Sequence, residues 1–209
     1  MQIILTSEFS NVRSKVIEAL ADRFYGKILI IDSASIDPKG AENSQAPRGG
    51  TAFSEYGRFA RSVEIVDLLE TGPVDLSEMD VIHFTGGDPF RLLRACLATG
   101  FQAAIEDRAN DRPLSVVGSS AGAMVMGIDL AHAGILCSPR GLPHTSGFGW
   151  VDKLVMPHLD AKGPHGDAIR KHVLDNPDLN WLLLNDRDCD IRQVGPSFEE
   201  ELEAQASFF

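Results

Sequence analysis

The sequence lacks the features that define membrane-spanning, disulfide-rich and zinc-binding proteins. No apolar run reaches the ~18 residues that a membrane helix needs, so we expect no membrane partner. The first residues carry neither a basic region nor a small-residue cleavage site, and they predict a strand instead of a signal peptide. Cysteine is scarce, because Cys96, Cys137 and Cys189 are widely separated and form no Cys-x-x-Cys motif. This pattern predicts free buried thiols in a reducing, cytoplasmic compartment, with no structural zinc.

Basic side chains are also scarce. The chain has 19 Lys and Arg residues against 30 Asp and Glu residues, which gives a formal net charge of −11. Because a negative surface repels a phosphate backbone, we expect no nucleic-acid partner. The length of 209 residues suits one α/β domain with a sizeable core and is short for two, so we predict a single domain over residues 1–209.

Apolar runs alternate along the chain with segments of helical periodicity. Strands are predicted at residues 2–7, 27–32, 62–69, 81–84, 114–117, 154–159 and 181–184. Helices are predicted at residues 11–24, 52–61, 89–97, 101–108, 121–131 and 167–174. We expect a long surface loop at residues 33–50, a hairpin partner for the last strand at 189–194 and an acidic helix at 199–203. The alternation predicts an α/β fold with three layers, α/β/α, and a largely parallel sheet.

Residues 114–130 carry the most informative motif of the chain. A short β-branched run is followed by GSSAG at residues 118–122 and then by good helix formers. A Gly-x-Ser-x-Gly pattern between a strand and a helix is typical of a nucleophile elbow, a strained turn that exposes the serine hydroxyl. Ser120 is therefore the candidate nucleophile, and the Ala121 N–H is a candidate oxyanion-hole donor at the helix start. The alternative is a plain strand-to-helix turn in which small residues permit close packing.

A pair of glycines follows the strand predicted at residues 81–84. In parallel sheets the ligand crevice lies at the carboxyl ends of the strands, so the N–H of Gly86 or Gly87 is a candidate for the second oxyanion donor. The same turn also suits a helix start, with Asp88 as N-cap and Pro89 at the first helical position. The two interpretations are compatible, because such a cap would fix the turn that directs the N–H.

A serine nucleophile needs a base, and histidine is the usual choice because its pKa lies near neutrality. His158 is the preferred base, since it ends a predicted apolar strand downstream of the elbow. His144 and His165 lie in polar loops and stay as alternatives. The histidines on a predicted strand or on predicted helices are expected to be structural or surface residues: His83, His132 and His172.

The base in turn needs an acidic partner that holds its tautomer. Asp186 follows the next predicted strand and can reach the same edge of the sheet. Its alternative role is that of a turn residue leading into the predicted hairpin. Asp188 and Asp160 are the other candidates for the acid.

Three segments, TGGDPFRLL, GSSAGAMVMG and MPHLD, resemble in this order the motifs of peptidase family S51, which includes dipeptidase E and cyanophycinase. The likeness extends over most of the chain. It implies a flavodoxin-like fold similar to that of the class I glutamine amidotransferases, with serine in place of their cysteine. It also implies Ser120 as nucleophile, His158 as general base, and Gly87 and Ala121 as the oxyanion-hole donors. This chemistry requires no metal and no organic cofactor.

The sequence departs from the family pattern at three places. Asp88 stands where asparagine is common after the two glycines. The late segment LLLNDRDCDI lacks the Glu-Gly turn that usually carries the acid, so Asp186 is assigned by position alone. The segment after His158, DAKGPHGDAIR, lacks the expected arginine pattern, which bears on substrate preference.

The sequence therefore predicts a serine peptidase of short peptides, acting as a monomer or a homodimer, with N-terminal aspartyl dipeptides as one substrate class. An aspartate-selective site would need a cation from Arg170, Lys162 or Arg140. Two other functions stay open: an esterase or amidase of another acyl-transfer class, and a binding protein that keeps the scaffold without catalysis.

Overall fold

The structure is a computed structural model that describes residues 1–23, 26–35, 50–139 and 141–195. Two sheets are present within these ranges. The larger sheet contains β1 (Gln2–Thr6), β2 (Lys27–Ile31), β3 (Ser62–Val66), β4 (Val81–Phe84), β5 (Ser115–Ser119) and β8 (Cys189–Gln193). The smaller sheet contains β6 (Leu154–Met156) and β7 (Trp181–Leu183). The predicted loop at residues 33–50 and the predicted acidic helix at 199–203 lie mostly or wholly outside the described residues.

Helices connect most of the strands. They are α1 (Phe9–Ala19), α2 (Gly50–Tyr56), α3 (Leu68–Thr71), α4 (Pro89–Thr99), α5 (Phe101–Asp111), α6 (Ala121–Val125) and α7 (Pro164–Asp175). Short 3₁₀ turns lie at Ala21–Arg23 and Ala131–Ile135. Among the described residues, no helix is both long and apolar enough to cross a bilayer.

The strand order of the larger sheet is β3-β2-β4-β5-β1-β8. β1 to β5 are parallel to one another, and β8 is antiparallel to β1 at the edge. Successive side chains of a strand point to opposite faces of the sheet, and helices cover both faces. Ile4 packs with Val12 and Val16 of α1, whereas Ile3 and Leu5 belong to the cluster that includes α4, α5 and α6. The predicted three-layer α/β/α fold with a largely parallel sheet is therefore confirmed.

The topology brings three chain segments to one place. β4, β5 and β1 are neighbours in the sheet, and their carboxyl ends lie side by side. The register pairs Thr6 with Ser119 and Phe84 with Gly118, so the residues that follow each strand meet at this edge. The smaller sheet reaches the same edge, because the backbone N–H of His158, just past β6, donates to the Ser7 hydroxyl, just past β1 (2.7 Å).

The prediction that residues 189–194 form a hairpin with the preceding strand is wrong. β8 pairs with β1, and β7 pairs with β6 in a parallel arrangement. A turn at residues 185–188, in which the Asp188 N–H donates to the Asn185 carbonyl (2.9 Å), sends the chain towards the outer edge of β1. This pairing satisfies backbone groups that an open edge strand would expose.

The helix after the elbow is shorter than predicted. We expected it to extend to residue 131, but α6 ends at Val125. The carbonyls of Val125 and Met126 accept hydrogen bonds from the backbone N–H groups of Phe148 (2.7 Å) and Val151 (3.0 Å). Tertiary hydrogen bonds thus replace the continuing helix and attach residues 148–151 to the elbow.

The cysteines agree with the prediction in part. Cys96, Cys137 and Cys189 are free, and Cys96 is buried, whereas the other two are partly exposed. Burial raises the pKa of all three thiols. None of them is therefore poised as a thiolate nucleophile near neutral pH.

Candidate active site

Ser120 occupies a strained turn between β5 and α6. Its φ of 51° and ψ of −110° lie in a region that non-glycine residues seldom adopt. The Ser120 N–H donates to the Thr6 carbonyl (2.9 Å), which ties the turn to the end of β1. The hydroxyl is not used to cap α6, so it is free to face the carboxyl edge of the sheet. This conformation is the one that a nucleophile elbow requires.

Gly122 allows the elbow to pack closely on β4. A Cβ at this position would lie 2.3 Å from the Phe84 carbonyl oxygen, far inside van der Waals contact. Any larger residue would push α6 away from the sheet and displace Ser120. The second glycine of the GSSAG motif is thus a consequence of helix-to-strand packing.

A continuous hydrogen-bonded chain joins three of the predicted site residues. The Ser120 hydroxyl lies 2.8 Å from His158 Nε2, and His158 Nδ1 lies 2.6 Å from Asp186 Oδ1. His158 itself has a positive φ of 62°, just past β6 and Pro157. The arrangement has the order of a nucleophile, a base and an orienting acid.

Ser7 is a fourth member of this cluster, and sequence reasoning missed it. The buried Ser7 hydroxyl donates to Asp186 Oδ1 (2.7 Å) and accepts a hydrogen bond from the His158 backbone N–H (2.7 Å). It also lies 3.1 Å from His158 Nδ1. Ser7 therefore fixes both the carboxylate and the strained backbone of His158. Its position directly after the first strand, at the same sheet edge as Ser120, is the signal that could have identified it.

Asp186 is held in its ionised form. Burial opposes ionisation, but the hydrogen bonds from Ser7 and His158 and the electrostatic effect of the His158 and His165 rings outweigh it and hold the carboxyl pKa below its usual range. Asp160 and Asp188, the alternative acids, have other partners. Asp160 accepts from the Asp186 backbone N–H (2.7 Å), and Asp188 accepts from the Asn185 backbone N–H (2.7 Å). Both carboxylates thus support the Asp186 turn and do not touch His158.

The Gly86-Gly87 turn lies against the elbow. A Cβ on Gly86 would lie 3.2 Å from Ser120 Cβ, and one on Gly87 would lie 2.1 Å from the Ala34 carbonyl oxygen. Gly87 has a φ of 138°, which only glycine adopts readily. Asp88 caps α4 by accepting from the Phe90 N–H (2.8 Å), as predicted. Within the described residues, neither the Gly87 nor the Ala121 N–H donates a hydrogen bond, so both are available to a ligand.

The other predicted histidines do not reach the cluster, with one exception at its rim. His132 is buried and bonds to the Val155 carbonyl (2.9 Å), and His144 is exposed in a loop. His172 packs on Trp181, with ring centroids 5.8 Å apart. His165 lies closest to the cluster, since its ring centroid is 6.1 Å from that of His158.

His83 belongs to a buried network beneath the elbow. Its Nδ1 lies 2.8 Å from the Tyr56 hydroxyl and its Nε2 lies 2.9 Å from the Ser119 hydroxyl. Ser119 in turn lies 3.0 Å from the Thr6 hydroxyl. The network links α2, β4, β5 and β1 behind Ser120. Burial lowers the pKa of His83 to about 3, so the ring is neutral at physiological pH.

This neutral histidine predicts a loss of stability in mild acid. An unfolded histidine binds a proton below about pH 6.5, whereas folded His83 does not until about pH 3. The unfolded state is therefore favoured as the pH falls, and His83 should contribute about 2 kcal/mol to the loss of unfolding free energy between pH 7.5 and 5. Urea unfolding of the wild type and of His83→Gln at both pH values measures this. An equal pH dependence in the two proteins would contradict the prediction.

A small cleft of about 130 Å³ opens beside Ser120. Its described lining comes from the starts of α1 and α2, the turn after β4 and the elbow: Ser7, Glu8, Phe9, Ser10, Thr51, Ala52, His83, Thr85, Gly86, Ser119 and Ser120. A larger cavity of about 350 Å³ lies at the opposite, amino-terminal edge of the sheet, and its charged lining includes no residue of the cluster: Lys27, Arg61, Ser77, Glu78, Asp80 and Arg112. The cleft, and not the larger cavity, is thus the space next to the candidate nucleophile.

The predicted cations are not positioned in this cleft. Arg170 donates to the carbonyls of Leu159 (2.9 Å) and Ala161 (2.7 Å) and lies 2.5 Å from Asp167. Lys162 is exposed, and Arg140 lies outside the described residues. Across the part of the chain that the structure describes, no group of three or more His, Cys, Asp or Glu side chains is arranged to hold a metal ion.

Comparisons with known proteins place the chain in a family. The family model of peptidase family S51 matches residues 3–196. A peptidase E candidate from Listeria monocytogenes EGD-e has a similar fold, with a TM-score of 0.72 and 19% identity over 93% of this chain and 98% of that one. A peptidase from an acI-B1 Actinobacterium gives a TM-score of 0.62 and 17% identity over 93% and 84% of the two chains. A search of curated proteins gave no significant match. Because the family model spans nearly the whole described chain, the protein belongs to peptidase family S51.

Proposed function

We propose that the protein is a serine peptidase that hydrolyses short peptides through Ser120, His158 and Asp186. The observation that carries this proposal is the unbroken contact from the Ser120 hydroxyl to His158 (2.8 Å) and from His158 to Asp186 (2.6 Å). Membership of a peptidase family supports the reaction type. The small size of the cleft beside Ser120 supports short substrates.

In this mechanism His158 takes the Ser120 proton while the serine oxygen attacks the peptide carbonyl carbon. The C–N bond then breaks, His158 gives the proton to the leaving amine, and an acyl-enzyme forms on Ser120. Water repeats the sequence, with His158 first accepting a proton from water and then returning it to Ser120. Asp186 holds Nδ1 protonated, so that Nε2 is the atom that faces the serine.

Two backbone donors are proposed for the negative charge that develops on the carbonyl oxygen. Ala121 follows Ser120 directly, and Gly87 follows Gly86, which packs against Ser120. Neither the Gly87 nor the Ala121 N–H has a partner among the described residues. Ala121 is the first residue of α6, where the free N–H groups of a helix favour an anion. Donors of this kind contribute about 10²- to 10³-fold each to the rate of acyl transfer.

Covalent labelling tests whether Ser120 is activated. A fluorophosphonate should add one adduct to the wild-type protein, and peptide mapping should locate it on Ser120. His158→Ala should label about 10²- to 10⁴-fold more slowly, because the base that removes the proton is missing. Ser54→Ala, which changes an exposed serine on α2, is the matched control and should label like the wild type.

The outcome separates three functions. Labelling that depends on His158, together with hydrolysis of peptides, supports the peptidase. Labelling combined with turnover of esters or simple amides but of no peptide would indicate another acyl-transfer class. A protein that fails to label at all would contradict an activated serine and favour a binding protein on the same scaffold.

A further inference from the structure

The cleft beside Ser120 carries negative charge. Glu8 and His83 are the titratable side chains that line it within the described residues, and His83 is neutral because it is buried. No described Lys or Arg lines the cleft. Thr85 lines the cleft and donates a hydrogen bond to Asp32 (2.9 Å). The Asp32 carboxylate therefore lies directly behind the cleft lining. The part of the cleft beside Glu8 is thus unfavourable for an anionic group and favourable for a cationic one.

Glu8 is fixed in place before any substrate arrives. It is the N-cap of α1, and its Oε1 accepts hydrogen bonds from the Ser10 hydroxyl (2.8 Å) and the Ser10 backbone N–H (3.4 Å). The amino end of a helix favours a carboxylate, so this negative charge is stabilised at the cleft. A preorganised charge loses little entropy when it binds a partner.

Arg91 and Arg170, two described arginines that could bind an acidic substrate, are engaged with other partners. Arg91 at the start of α4 pairs with Asp67 (2.7 Å) and donates to the Ser33 carbonyl. Arg170 is bound to two carbonyls and to Asp167. The described residues therefore offer an N-terminal aspartate no partner in the cleft, and Glu8 would repel it.

Cleft size and charge together indicate which end of a peptide enters. A volume of about 130 Å³ is well below the ~300–1,000 Å³ of pockets for drug-sized ligands, so a single small residue fills it. A short peptide carries an ammonium at its amino end and a carboxylate at its carboxyl end. Glu8 attracts the first and repels the second, so the cleft next to Ser120 takes the amino-terminal residue.

We infer that Glu8 binds the α-ammonium of the substrate, so that Ser120 removes one small, uncharged residue from the amino end of a short peptide. This inference rests on the proposed function and assigns its substrate class. Ser120 is acylated by the first residue, and the remainder of the peptide leaves as the amine. A blocked amino terminus offers Glu8 no ammonium to bind, and an aspartate at this position brings a second carboxylate close to Glu8, so both kinds of substrate are disfavoured.

A pair of chromogenic substrates tests the inference. Alanyl p-nitroanilide has a free ammonium, and N-acetylalanyl p-nitroanilide is its blocked counterpart. The wild type should have at least about a 10-fold higher kcat/KM for the free-amine substrate. Glu8→Gln keeps an oxygen that can cap α1 but removes the charge, and it should lower this ratio by about 10- to 100-fold, the contribution of a charge-assisted hydrogen bond.

Controls separate failure of this inference from failure of the proposed function. Glu18→Gln makes the same charge change on the exposed side of α1 and should keep the wild-type ratio. Aspartyl p-nitroanilide should be cleaved more slowly than the alanyl substrate. A ratio unaffected by Glu8→Gln, a preference for the aspartyl or acetylated substrate, or no cleavage despite fluorophosphonate labelling of Ser120 would each overturn the role of Glu8. Absence of that labelling would overturn the proposed function itself.

Discussion

Replacement of Ser120 by alanine is expected to lower kcat for peptide hydrolysis by about 10⁴- to 10⁶-fold. The substitution removes the only atom that forms the acyl-enzyme, while the Gly87 and Ala121 N–H groups stay in place. Binding should be less affected than turnover, since the cleft loses a single oxygen. Steady-state kinetics with the alanyl substrate measure the loss, and turnover within 10-fold of the wild type would remove Ser120 as the nucleophile.

Stability measurements on the variants would exclude unfolding as the cause of that loss. The Ser120 hydroxyl caps no helix, so Ser120→Ala should change the unfolding free energy by less than ~1 kcal/mol. The backbone strain at φ 51° stays in the alanine variant. Ser120→Gly relieves it, and this variant should be about 1 kcal/mol more stable than Ser120→Ala in urea. Equal stability of the glycine and alanine variants would contradict backbone strain at the elbow.

The elbow could be predicted from the sequence because its determinants are local. The strand, the GSSAG motif and the start of the helix lie within one short segment, and its two glycines follow from steric contacts within the turn and with β4. The parallel core strands were equally predictable, since strands covered on both faces are almost uniformly apolar. Local pattern thus determined both the sheet and the position of Ser120 at its carboxyl edge.

Features that depend on distant partners could not be predicted in the same way. The edge position of β8 depends on the open side of β1, which lies at the other end of the chain. In the sequence, Ser7 looks like any polar residue at a strand end. Its role follows only from its hydrogen bonds with Asp186 and the His158 N–H, both 2.7 Å long in the folded chain. The early end of α6 has the same origin, because backbone N–H groups of residues 148–151 donate hydrogen bonds to the carbonyls at its carboxyl end. In each case a tertiary hydrogen bond decides between local alternatives.

The assignment of Asp186 needed both local sequence pattern and tertiary contacts. Position after a strand favoured Asp186 and left Asp188 and Asp160 as alternatives. The distances favour Asp186, since it lies 2.6 Å from His158 Nδ1, whereas Asp160 and Asp188 accept from backbone N–H groups of the surrounding turn. We therefore propose Asp186, rather than Asp160 or Asp188, as the acid, and mutation can test this proposal.

Asp186→Asn is expected to lower kcat by about 10³- to 10⁴-fold with little change in fold. The asparagine amide can donate to His158 Nδ1, which favours the tautomer that carries its proton on Nε2. That nitrogen then cannot accept the Ser120 proton, so acylation fails although the ring is still in place. Kinetics with the alanyl substrate and the rate of fluorophosphonate labelling should fall together.

Asp188→Asn is the matched control, because it makes the same chemical change two residues away in the same turn. Its side chain accepts from Asn185 and does not touch His158, so kcat should stay within about 10-fold of the wild type. Equal losses in the two variants would mean that the turn as a whole, and not the Asp186 carboxylate, supports His158. A large loss in Asp186→Asn alone would instead support Asp186 as the acid, in a late turn that lacks the Glu-Gly sequence of the family pattern.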